Sequence, residues 1–228
     1  MRTVTAVLVV LLVFPSALVS GADVLSSEEA SSGLKQMLNQ SGGAAVDRLG
    51  VTNGFLENPK VKITLPPALQ KAEAVMRMVG MNKPVDNLIV SMNRAAEASA
   101  AEAKPLLLDA VQKMPVDEAR KIVTGGDDAA TQYFRNVSSE ALEQQFLPIV
   151  KNATDQAGVL KKYNEFAGKG AKAGLIAEKD ANIENYIAKK TLDGLYLVMA
   201  EEERAIRNNP VGLTKELQNV FRGLKQSR

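Results

Sequence analysis

Apolar residues recur at three- and four-residue intervals along most of this chain, the period of an amphipathic helix rather than of a strand. Leu34, Met37, Leu38, Ala45 and Leu49 form a first series, with Gly42-Gly43 weakening its middle. Ser26-Ser27-Glu28-Glu29 precedes it and resembles a helix cap. Pro66-Pro67 opens a second helix through Val79, with Leu69, Val75, Met76 and Val79 on one stripe. A longer one starts at Pro84, carries Val85, Leu88, Ile89 and Met92, and continues through the Ala-rich run from Ala95 to Ala103. Short helices follow from Pro105 to Lys113 and from Pro115 to Val123. Two more are expected over Asp127–Asn136 and Ser138–Ala157, the second kinked at Pro148. Gly158 to Leu175 is Gly- and Lys-rich and suggests short helices. Ala181 to Asn208 is the best-defined helix, ended by Pro210, and a last amphipathic turn runs from Leu213 to Leu224. Only Val61-Lys62-Ile63-Thr64-Leu65 alternates as a strand would, so residues 59–65 are a short strand or an extended arm. The expected fold is a single all-α, multi-helix domain.

The first 22 residues break this pattern. Arg2 precedes an apolar run from Val4 to Phe14, Pro15 interrupts it, and a small, polar tail leads to Ser20-Gly21-Ala22. These are the three regions of a secretory signal peptide, with cleavage expected before Asp23. The apolar run is too short for the ~20 residues of a membrane-spanning helix. The expected product is a soluble periplasmic domain covering residues 23–228, with no later transmembrane segment.

Composition narrows the chemistry. Of 28 basic residues the leader removes only Arg2, which leaves near balance against 26 acidic ones. Such a chain has no electrostatic footprint for nucleic acid and no basic excess for anionic lipid. Cysteine and histidine are both absent. Ser-His-Asp and Cys-His nucleophile systems are therefore ruled out, and zinc, copper and haem lose their usual ligands. Carboxylate pairs, lysine or serine chemistry and oxygen-only Ca²⁺ or Mg²⁺ sites remain. No cofactor is expected beyond such an ion. The chain has no Trp, and its Phe and Tyr fit a core better than a sugar-stacking platform.

Two polar blocks stand out. In Thr124-Gly125-Gly126-Asp127-Asp128-Ala129-Ala130-Thr131-Gln132-Tyr133-Phe134-Arg135, the glycines can end one helix and Asp127 can cap the next. One cap needs one Asp, so Asp128 and Thr131 exceed that account. Adjacent carboxylates repel and need a cation or several donors once partly buried. Arg94, Arg135 or a divalent ion held by Asp127 and Asp128 could supply it. In the second block, Asn93 and Glu97 lie at i, i+4 and Arg94 and Glu97 at i, i+3, on one helix face. That face is either a solvated ion pair or a buried polar network bridging to another helix, and it is the expected partner of Asp127 and Asp128. The candidate site is thus Asn93, Arg94, Glu97, Asp127, Asp128, Thr131 and Arg135. Glu201-Glu202-Glu203-Arg204 with Arg207 reads as a solvated helix face.

The blocks Phe55 to Val61, Ser91 to Glu97 and Thr124 to Arg135 resemble an exported family of Gram-negative bacteria with no assigned activity. Asn164-Glu165-Phe166-Ala167, Leu192-Asp193-Gly194-Leu195 and Asn209-Pro210-Val211-Gly212 fit the same pattern. The resemblance spans roughly Gly33 to Leu224. It implies an envelope-directed protein and transfers no catalytic residue. Some relatives look like lipoproteins, and this chain departs from them in lacking the Cys. The leading functional expectation is a periplasmic binding or interaction module whose partner is a small ligand or an envelope protein. A carboxylate-based, Ca²⁺- or Mg²⁺-assisted hydrolase using Asp127, Asp128 and Glu97 is the alternative. An envelope scaffold or homo-oligomer is a third.

Overall fold

A computed structural model describes residues 26–163, 166 and 183–226. Its helices are α1 (Ser27–Leu49), α2 (Pro67–Met78), α3 (Asn82–Glu102), α4 (Lys104–Lys113), α5 (Ala119–Val123), α6 (Ala129–Gln156), α7 (Ile183–Asn208) and α8 (Lys215–Gln226). Residues 159–163 add a short helical stretch. There is no strand among the described residues, so the all-α expectation holds. None of these helices is long and apolar enough to cross a membrane.

The long helices α1, α3, α6 and α7 enclose the core, and α7 touches the other three. α4 and α5 pack on α1 and α6, α2 leans on α3, and α8 closes against α7 and α1. Small residues allow this closeness. In α3, Ala95, Ala96, Ser99 and Ala100 are all fully buried. Gly42 lies inside an unbroken α1, where a Cβ would come within 3.1 Å of Leu107 and 3.5 Å of Met199. Close approach of α4 and α7 there outweighs the ~1 kcal/mol that a mid-helix glycine costs. The expected cap is present: Ser26 Oγ accepts from the Glu29 N–H while Glu29 accepts from the Ser26 N–H.

The helix expected from Pro115 to Val123 is confined to α5, Ala119–Val123. The helices expected over 127–136 and 138–157 are one, α6, because Ala130, Phe134, Ser138, Leu142, Phe146 and Val150 form a continuous buried stripe. That burial carries the helix through the polar residues around Asn136 and through Pro148. Of the two forms expected near residues 59–65, the extended arm is the one present, with Val61, Ile63 and Leu65 buried and Lys62 and Thr64 exposed. Most of the Gly- and Lys-rich stretch to Leu175, and the start of the helix expected from Ala181, lie outside the described residues.

Candidate binding cleft

The Asn93, Arg94 and Glu97 face is a clamp on the chain between α1 and α2. Fully buried Asn93 imitates a neighbouring strand. Its Oδ1 accepts from the Ile63 N–H at 2.9 Å and its Nδ2 donates to the Ile63 carbonyl at 2.8 Å. Glu97, only 4% exposed, accepts from the N–H groups of Phe55 (3.2 Å) and Leu56 (3.1 Å). Its second oxygen takes Arg94 at 2.6 Å, and Arg94 reaches on to Asn53 Oδ1, also at 2.6 Å. Asn53 has φ of 71°, a left-handed geometry that asparagine tolerates better than most residues. Phe55 is buried against Gly194 of α7, where a Cβ would stand 2.8 Å from its ring. Asn93 and Glu97 are buried while Arg94 is partly exposed, and the three bridge to a loop rather than to a helix.

The Asp127-Asp128 block is built differently from its expected form. Asp128 sits at the N-cap of α6 without capping it through its side chain. The cap comes from α7: Glu203 accepts from the N–H groups of Ala130 (3.0 Å) and Thr131 (2.7 Å) and from the Thr131 hydroxyl (2.7 Å). Arg207, one turn on, donates to Glu203 at 2.9 Å and to the α5 carbonyls of Val123 (2.6 Å) and Ile122 (3.2 Å). One buried ion pair thus ties the end of α5 to the start of α6, each charge at the favourable helix pole. The expectation of a solvated 201–207 face is corrected here, since Glu203 is fully buried and Arg207 is 8% exposed. Repeated Glu and Arg at i, i+4 look alike whether they face water or a neighbouring helix end, so the sequence carried no signal for this pair.

Asp128 turns outward instead. It accepts from Gln132 at 2.6 Å and pairs with Arg204, so its cation is on α7 and is not the expected Arg94. Asp127 is exposed at the junction. Among the described residues no three acidic side chains converge as metal ligands would.

Asp128, Thr131 and Arg135 do meet in a cleft of about 600 Å³ between the first turns of α6 and one stripe of α7. Asp193, Tyr196, Leu197, Ala200, Glu201 and Arg204 supply the α7 wall, and Lys60 closes the side. Ion pairs ring it: Arg135–Asp193, Arg204–Asp128, and Lys60–Glu201 at 2.6 Å. The Lys60 hydrogen bond holds the Glu201 carboxyl below its ordinary range. Arg135 also lies 5.4 Å over the ring of Tyr196. The buried Tyr196 hydroxyl meets no partner in hydrogen-bonding geometry among the described residues, and burial raises its pKa against the weaker opposing influence of nearby Ser138 and Arg135. Of the expected residues, Asn93, Arg94 and Glu97 therefore stay under the loop, while Asp128, Thr131 and Arg135 line the cleft. Lys60, Asp193, Glu201 and Arg204 were missed, because only the fold brings the loop between α1 and α2 and the α7 helix against α6.

No curated protein and no solved structure matches the chain. Residues 24–222 match the model of DUF4197, a protein family of unknown function, and the chain belongs to that family.

Proposed function

We propose that this protein is an exported, periplasmic binding module and that the cleft between α6 and α7 is where it binds. The cleft itself carries the proposal: three elements place three cations and three carboxylates around one open concavity, with exposed Leu197 as an apolar contact. Charges that are paired but solvent-accessible can exchange partners with a polar ligand at little cost, whereas fully buried pairs such as Glu203–Arg207 cannot. Export is supported by the signal-peptide pattern of residues 1–22, and the family match begins just past the expected cleavage site. The hydrolase alternative gains nothing, since Glu97 lies in the loop clamp and both Asp128 oxygens have partners.

The test is native mass spectrometry of protein purified from its own periplasm. A bound species of discrete mass is expected, absent from a Leu197→Arg variant of unchanged melting temperature. The same preparation should begin at or near Asp23. Protein that carries no ligand, and whose melting temperature no periplasmic extract raises, would overturn the binding proposal; an intact Met1 would overturn export.

A further inference from the structure

The cleft continues past Lys60, Asp193 and Leu197 into a second hollow of about 180 Å³ lined by residues 60–64, Tyr186, Lys190 and Gly194. Together they follow a single stripe of α7: Tyr186, Lys190, Asp193, Leu197, Glu201 and Arg204. At the α-helical rise that stripe is about 27 Å long. It matches an extended chain of about eight residues better than a compact small molecule.

One wall of the second hollow is the extended arm. Asn93 occupies the Ile63 N–H and carbonyl on the side facing α3. In an extended chain the neighbouring residues direct their polar groups to the opposite side. On that side Tyr186 Oη donates to the Thr64 carbonyl at 3.1 Å and the Lys62 N–H donates to the Asn58 carbonyl at 2.9 Å. The Tyr186 bond shows that this edge faces the groove. On it the Lys62 carbonyl accepts, and the Thr64 N–H donates, no hydrogen bond among the described residues. One donor and one acceptor are thus presented to the groove as on the edge of a sheet. The charge changes along the stripe as well. The cations nearer α6 are paired, but Lys62 has no acidic partner among the described residues, and Lys190 lies 5.8 Å over the Tyr186 ring.

We infer that the groove binds an extended, acidic peptide segment that adds as a strand to residues 62–64 and sets its carboxylates against Lys62 and Lys190. Main-chain pairing supplies affinity and the lysines supply preference, as in other strand-addition sites. A glycan fits less well, because Tyr186 is the single partly exposed aromatic ring in the wall. The inference rests on the proposed binding site and narrows its ligand.

The experiment is selection of a random octapeptide library on the immobilised mature protein, followed by anisotropy titration of the enriched peptides. Acidic sequences are expected. Thr64→Pro, which deletes the open N–H, should weaken them about tenfold, the effect of losing one or two net hydrogen bonds. N-methylating alternate residues of the peptide should do the same without touching the protein's fold. Lys62→Glu combined with Lys190→Glu should reverse the charge preference. Failure to enrich any peptide, enrichment of basic or neutral ones, or affinity indifferent to N-methylation overturns the inference. Release of a non-peptide species by Leu197→Arg, with no octapeptide selected, overturns it while leaving the binding site in place.

Discussion

The two acidic residues that dominate the molecule at the level of single side chains are Glu203 and Asp128, and truncating them should have very unequal effects. Glu203→Ala leaves the Arg207 guanidinium buried without its counter-ion and the first N–H groups of α6 without an acceptor. Breaking such a pair costs about 3–5 kcal/mol. A fall in melting temperature of about 6–20 °C is expected for a domain of this size. Asp128→Ala removes a partly exposed pair and should cost no more than about 1 kcal/mol. Tyr196→Phe should not destabilise, because the hydroxyl it removes is buried with no well-placed partner among the described residues. It should also flatten the alkaline limb of the stability profile. Burial raises the folded-state pKa of the phenol above its unfolded value of about 10. The stability it contributes is therefore complete below that value and is lost as pH climbs through the folded pKa. Melting temperatures of both proteins between about pH 8 and 11 would check this. The contrast with the α1 cap shows what a sequence discloses. Ser26 and Glu29 cap a helix three residues apart and are legible in the primary structure. Glu203 caps one more than seventy residues upstream, and no local spacing announces it.

The elements follow the same division. Most helix boundaries fall near the prolines and small polar residues that suggest them, because those signals act on the chain's own backbone. The fusion of α6 and the conformation of residues 61–65 depend on neighbours. The alternation Val61, Ile63, Leu65 reports correctly that one face is buried, but a strand needs a partner, and a single side chain from α3 fills that place. Asn93→Leu, close in size, strips Ile63 of both partners and should cost about 2–4 kcal/mol. Limited proteolysis should then cut between residues 50 and 66 before the rest of the domain opens; uniform resistance there would mean that Phe55 in its Gly194 notch suffices to hold the loop. The candidate site was half legible on the same grounds. Asp128, Thr131 and Arg135 sit close together in sequence on one helix, whereas Lys60, Asp193 and Arg204 reach them only through the packing of the 50–65 loop and α7.

At the scale of the whole molecule α7 is the member on which the others depend. It touches α1, α3, α6 and α8, receives Phe55 at Gly194, and forms one wall of the cleft. Its Glu203 and Arg207 complete the ends of two helices that precede it. A chain that emerges amino end first from a ribosome has α1 to α6 available long before this pair arrives. Over that interval the start of α6 lacks its acceptor, the end of α5 lacks its donor, and α1, α3 and α6 lack the helix that packs against all three. Completion is postponed to nearly the last stretch of the polypeptide. A protein truncated after Ala200 is accordingly expected to show broad thermal unfolding and rapid proteolysis, where one ending after Asn208 melts cooperatively at a lower temperature than the full chain. A sharp, cooperative melt from the shorter form would show that α1 to α6 close without help from the end of α7.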